Sequence, residues 1–116
     1  MTNFRLTIIT KNQKSNSKAK KLADLISNQF ENVSQIIVDP YHKFENSFKI
    51  DLVGEIPQNV DPLSWFVIKS NSIVKPWLIN YTHENNECDL IFNKSENSKF
   101  SIQDLNVIYW AHMAWE

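Results

Sequence analysis

A histidine and the chain's single cysteine flank an Asn-Asn pair in the stretch Trp77–Lys94, WLINYTHENNECDLIFNK. Strand-forming residues surround Asn85 and Asn86, and asparagine tolerates the positive φ of a two-residue hairpin turn. Counting outward from that turn sets Glu84 opposite Glu87, His83 opposite Cys88, Thr82 opposite Asp89 and Tyr81 opposite Leu90. With His42 and His112, the His83/Cys88 pair would offer zinc ligands. Convincing zinc sites carry paired ligands at short spacing, such as CxxC or HExxH, and neither occurs. As a nucleophile with His83 as base, Cys88 lacks an orienting group, and Glu87 and Asp89 beside it would raise the thiol pKa. Both residues are expected to be structural. No catalytic residue, no metal ligand and no cofactor is assigned.

Three other sets of side chains bear on function. His42, between Tyr41 and Lys43, has the pKa for acid–base work on RNA, but no spacing supplies its partner. Residues 1–21 hold six positive charges (Arg5, Lys11, Lys14, Lys18, Lys20, Lys21) and no acid. Arg5, Lys14 and Lys18, with His42, define an alternative function as a small nucleic-acid-binding or nuclease-like protein. Interleaved aromatics are missing from that segment, so a nucleic-acid partner is disfavoured. From residue 22 onward the chain holds six lysines and all thirteen acids, a balance of −7. Glu84 and Glu87, opposed beside the turn, would repel each other, a cost that a basic partner would relieve. Glu84, Glu87, Asp89 and Trp115 are therefore the expected partner-binding positions.

The elements that must position these residues follow from periodicity. Phe4–Thr10 alternates as a central strand, with Phe4, Leu6 and Ile8 on one face and Ile9 on the other. Ser17 is the expected cap of a helix over about Lys18–Asn32, whose Ala19, Leu22, Ala23, Ile26 and Phe30 form one apolar stripe. Ser34–Val38 reads as a short strand ended by Asp39-Pro40, and Phe48–Leu52 as a half-buried one. Asp61-Pro62 is a helix-start signal, although Trp65–Lys69 also satisfies a strand's preferences. Ser101 and Asp104 form a capping-box-like pattern before a terminal helix over Leu105–Glu116. That helix would show one stripe of Leu105, Ile108, Tyr109 and His112 and a second of Val107, Trp110, Ala111 and Ala114. The expected fold is a single α+β domain over 1–116, a mostly antiparallel sheet of about five strands covered by two to three helices, in the order β-α-β-β-α-β-β-α. Within it, Leu22, Ile26 and Phe30 should cover the Ile79/Tyr81/Leu90/Phe92 face of the hairpin.

Composition narrows the classes. With 42% hydrophobic residues the chain supports an ordinary core. Its one glycine, Gly54, excludes GxGxxG and Walker-type phosphate loops. One cysteine excludes a disulfide framework and suits a reducing compartment. No apolar run reaches the roughly 18 residues that span a bilayer, and the N-terminus lacks a signal-peptide pattern. A cytoplasmic protein with no membrane partner is expected.

In its acidic patches, Trp-rich end, scarcity of glycine and cysteine and lack of a catalytic set, the chain resembles the small immunity proteins of bacterial contact-dependent growth inhibition systems. That resemblance implies a non-enzymatic inhibitor that binds and neutralises a cognate toxin, with a basic nuclease domain as the partner. It matches no motif residue by residue and carries over no functional residue.

Overall fold

The computed structural model describes residues 2–82, 84 and 87–115. The chain runs β1 (Asn3–Thr10), α1 (Asn16–Ser27), β2 (Val33–Pro40), β3 (Phe48–Glu55), α2 (Pro62–Asn71), β4 (Val74–Lys75), β5 (Leu78–Thr82), β6 (Glu87–Asn93), β7 (Lys99–Phe100) and β8 (Ile108–Trp115), with a 3-10 turn at Gln103–Val107. Six strands form one antiparallel sheet in the order β2-β3-β1-β8-β6-β5, and β4 pairs with β7 in a separate ribbon. Strands β1 and β2, joined through α1, flank β3, which is the split β-α-β arrangement. The fold is α+β, as expected. Among the described residues no helix is long and apolar enough to cross a membrane.

Alternation fixes the faces of the central strands. Phe4, Leu6 and Ile8 point inward, as do Ile50 and Leu52 of β3 and Leu90 and Phe92 of β6, all buried. Both helices supply apolar residues to this inner face. Helix α1 is capped by Ser15, whose hydroxyl accepts from Lys18 N at 3.2 Å, two residues before the expected cap. Its buried stripe is Ala19, Leu22, Ala23 and Ile26, and the helix ends before Phe30. Phe30 still reaches the core, stacking on Phe4 at 5.0 Å. Asp61 caps α2 through Ser64 N at 3.1 Å, Pro62 opens it, and Trp65 and Phe66 are buried. The segment is a helix despite its sheet-favouring residues.

Gly54 marks a close approach. A Cβ there would stand 2.3 Å from the Asn32 carbonyl oxygen and 2.7 Å from the Phe4 ring. Backbone on one side and a packed aromatic on the other leave no room for a side chain.

Three expectations need correction. First, the C-terminal segment is not a helix. After the 3-10 turn, β8 enters the middle of the sheet between β1 and β6. Residues 105–115 are apolar apart from Asn106 and His112, so helical stripes and strand alternation both fit them. A strand buried on one face and half-covered on the other satisfies the same composition, and Ile, Tyr and Trp favour sheets. Second, the hairpin register is displaced by two residues. Tyr81 pairs with Cys88, Asn80 with Asp89 and Thr82 with Glu87, so Glu84 does not oppose Glu87. An even displacement keeps every side chain on its expected face. The expected Asn85-Asn86 turn and His83 lie outside the described residues. Third, α1 packs over β2 and β3, not over the hairpin. Leu90 and Phe92 are buried instead beneath Trp77 and Phe100, whose rings lie 5.8 and 6.0 Å from Phe92, while Ile79 and Tyr81 stay exposed.

Candidate functional site

With both helices on the inner face, the outer face of the sheet is left uncovered. Its most developed part lies where β1 and the start of β8 meet the loop 41–47. A register shift helps to build it. Ile9 pairs with Trp110 but Thr10 pairs with Ile108, leaving Tyr109 as an extra residue. Such a bulge re-aims side chains, and it brings Tyr109 and Trp110 to the same cleft.

Loop 41–47 closes the cleft from the opposite side. Tyr41 N donates to Ser47 O at 2.9 Å, and Gln13 N donates to Asn46 O at 2.9 Å. Ser47 Oγ donates to the Thr10 carbonyl oxygen, and Phe48 N donates to Thr10 Oγ1 at 3.2 Å. Thr10, Gln13 and Ser47 are all buried. Asn12 and Asn46 take the left-handed turns, with φ of 62° and 50°, where a chain with one glycine uses asparagine.

This frame presents Phe44 to Lys11. The Lys11 ammonium sits 4.1 Å from the Phe44 ring centroid and 3.7 Å from that of Tyr109, and the two rings meet edge to face at 5.6 Å. The ammonium is thus held by two aromatic faces. Beside it lies a cleft of about 510 Å³ lined by Thr7, Ile9, Tyr41, Lys43, Phe44, Lys49, Tyr109 and Trp110. On the other side of the loop a second cleft of about 460 Å³ contains Gln13, Lys14, His42 and Lys43. The side-chain oxygen of Gln13 is buried there without a hydrogen-bond partner, an uncommon state for a buried acceptor.

Further along the same face, polar side chains run across the strands. Thr7 Oγ1 donates to Asp51 Oδ1 at 2.7 Å, and Arg5 and Lys49 each approach Asp51 at 3.8 Å. Thr7 is also the register partner of His112. His112 Nε2 lies 3.1 Å from Asp89 Oδ2, and its ring stacks on Trp110 at 6.0 Å with 21° between the planes. A carboxylate that orients an imidazole is the pairing that acid–base chemistry uses.

The expected partner-binding residues are only partly gathered. Glu87, Asp89 and Trp115 line one groove of about 350 Å³ with Asn80, Thr82 and His112, whereas Glu84 is exposed in the turn. Trp115 also packs edge to face on Phe66 at 5.0 Å. Cys88 is buried on the inner face. Burial pushes its thiol pKa up, and the negative charge of Asp89 adds to the shift. His112 lies on the outer face, so it does not join Cys88. Among the described residues no group of three or more His, Cys, Asp and Glu side chains could hold a metal ion. Arg5, Lys14 and Lys18 do not share one cleft: Arg5 faces Asp51, Lys14 lines the cleft that holds His42, and Lys18 lines another, with Gln13 bordering both. His42 is exposed in the loop. Sequence reasoning missed the Lys11, Phe44 and Tyr109 cluster. The available signals were two aromatics in an otherwise polar loop and the Tyr-Trp doublet.

No protein-family model matches the chain, and no curated protein matches it. A solved structure does: LarC2, the C-terminal domain of a cyclometallase involved in the synthesis of the NPN cofactor of lactate racemase, in its apo form. The likeness covers 85% of this chain and 76% of that one, at 9% identity and a TM-score of 0.37. The expected immunity-protein resemblance is corrected at this point: the structure that matches is LarC2, and the comparisons give a toxin-binding inhibitor no support. With it go the inhibitor function, the nucleic-acid-binding alternative and the exclusion of enzymatic activity. A likeness at this score supplies no activity in their place.

Proposed function

We propose that the chain binds a small anionic molecule with a flat, conjugated portion, in the cleft between loop 41–47 and the Tyr109-Trp110 bulge. The single observation that carries this reading is the Lys11 ammonium clasped by Phe44 and Tyr109 at the side of a cleft that also holds Lys43 and Lys49. Aromatic walls suit a planar ring, and lysines suit a carboxylate or phosphate on it. The hydrogen bonds that fix loop 41–47 support a site formed before the ligand arrives, which lowers the entropy cost of binding. The single buried thiol suits a reducing compartment such as the cytoplasm.

Titration with a panel of aromatic carboxylates and phosphates, followed by amide chemical shifts and Trp110 fluorescence, tests the proposal. A binder should perturb Thr7, Ile9, 41–49 and 109–110 together. Tyr109→Ala should abolish the response, and Lys49→Ala should weaken binding about fivefold, the scale of one partly exposed charge contact. Binding unchanged in both variants, or no response to any member, would refute it.

A second reading, acid–base catalysis on the bound molecule, is favoured by the His112–Asp89 pair alone. Trp110 connects the two places, lining the cleft and stacking on His112. Asp89→Asn should then lower turnover of a bound substrate while leaving its affinity unchanged; turnover that survives His112→Gln would exclude this role.

A further inference from the structure

Strand β5 is the outermost strand of the sheet, and all five of its residues, LINYT, are exposed. Leu78 is 64% exposed and Ile79 44%. A sheet edge offers a row of backbone N–H and C=O groups to any further strand, and proteins defend such edges with charges, prolines or bulges. β5 has none of these within its span. The other edge has several: β2 carries a register break between Val33 and Gln35 and ends in Asp39-Pro40.

The charges around β5 point to its occupant. Lys75 and Lys99 are directly paired in the β4–β7 ribbon at the end where β5 begins, and both are exposed. Like charges in that position repel each other. At the far end of β5, Glu84 and Glu87 are exposed. An antiparallel partner of the same sequence would bring the acidic end of one copy to the basic end of the other, twice, around a two-fold axis. We infer that β5 is a homodimerisation edge, pairing antiparallel with β5 of a second copy about Asn80.

The register is self-consistent. Centring on Asn80 places Leu78 opposite Thr82 on the outer face and Ile79 opposite Tyr81 on the inner face, so like faces meet. Ile79 opposite Tyr81 is an aromatic and β-branched cross-strand pair, a favourable combination, and it occurs twice. The two sheets would join into one of twelve strands. This inference is independent of the ligand cleft, which is built on β3, β1 and β8 and includes no residue of β5.

Sedimentation equilibrium on the full chain over a wide concentration range tests the inference. The mass should rise from 13.6 kDa to twice that value, and the transition should move to higher protein concentration in high salt. Asn80→Lys would place two cations face to face at the axis and should leave a monomer. Asn80→Asp should do the same with two anions. Mixing these two variants should restore the dimer, a recovery that simple misfolding of either would not allow. A wild-type chain that stays at 13.6 kDa up to millimolar concentration would overturn the inference. So would a dimer indifferent to Asn80→Lys, or a mixture that remains monomeric.

Discussion

At one edge of the sheet, β2 runs for eight residues with α1 packed beside it, breaks register after Val33, and ends in Asp39-Pro40. At the other edge, β5 runs for five residues with no acid, lysine or proline. Both strands are largely exposed, yet they are secured differently. Val38 of β2 packs against the core, and Ser34 Oγ adds a bond to Val53 O at 3.1 Å. β5 is tied to the molecule chiefly through its ladder with β6. An edge strand can therefore be finished from within, by a helix and by blunting residues, or left for another chain to complete. The bare edge is the informative one, because the stability of the fold does not account for it.

Truncation should expose this difference most strongly. Leu52 of β3 pairs with Ile36 of β2 and is fully buried. Leu52→Ala should cost about 2–5 kcal/mol, the range for a core leucine whose cavity cannot collapse. Ile79→Ala in β5 should cost less than about 1 kcal/mol in the monomer, since surface substitutions rarely exceed half that value. Urea denaturation at low protein concentration compares the two. Equal losses would mean that β5 is as well anchored as the β2 side.

Gly54→Ala is the next largest effect. The added methyl meets the Asn32 carbonyl at 2.3 Å and Phe4 at 2.7 Å, and Asn32 leads directly into β2. Backbone must move, and overpacking of this kind costs about 1–3 kcal/mol. Amide exchange should accelerate in β2 and β3 while β5 and β6 stay unchanged. Uniform acceleration over the whole sheet would show that the two edges do not open separately.

What the sequence revealed divides along similar physical lines. Phe48–Leu52 was legible because it alternates between a buried and a more exposed face, and Phe4–Thr10 because Phe4, Leu6 and Ile8 fall on one face while Ile9 marks a central strand covered on both. Both helices were legible at their starts, from the Asp61-Pro62 signal and from a serine close to the actual cap, Ser15. Strand β8 was hidden because Ile108–Trp115 is apolar at both helical and strand spacings, and only its neighbours β1 and β6 decide between them. The hairpin kept its faces but not its pairs, since a register displaced by two residues preserves parity. The cleft was the least legible feature. Lys11, Phe44 and Tyr109 are far apart in sequence, and a bulge that no residue type announces brings Tyr109 beside Trp110. The repulsion expected between Glu84 and Glu87 is removed by the true register, in which Glu87 pairs with Thr82.

Cys88 offers the finest probe of the bare edge. Its thiol is buried at the point where Tyr81 of β5 is its register partner. Burial first, and then the charge of Asp89, raise its pKa, so the reactive thiolate is scarce in the folded chain at neutral pH. Alkylation should be much slower than in the denatured chain. The unfolded thiol ionises first as pH rises, so this group should lower stability above about pH 8.5, where the unfolded state has released a proton that the folded state retains. Tyr81→Ala should accelerate labelling by thinning the cover over Cys88, whereas Ile36→Ala in β2 should not. If β5 of a second copy adds to that cover, labelling of the wild-type chain should also slow as protein concentration increases, and the slowing should vanish in Asn80→Lys. A labelling rate equal to that of the denatured chain would mean that the β5–β6 ladder opens freely and that the edge is loose rather than merely unpaired.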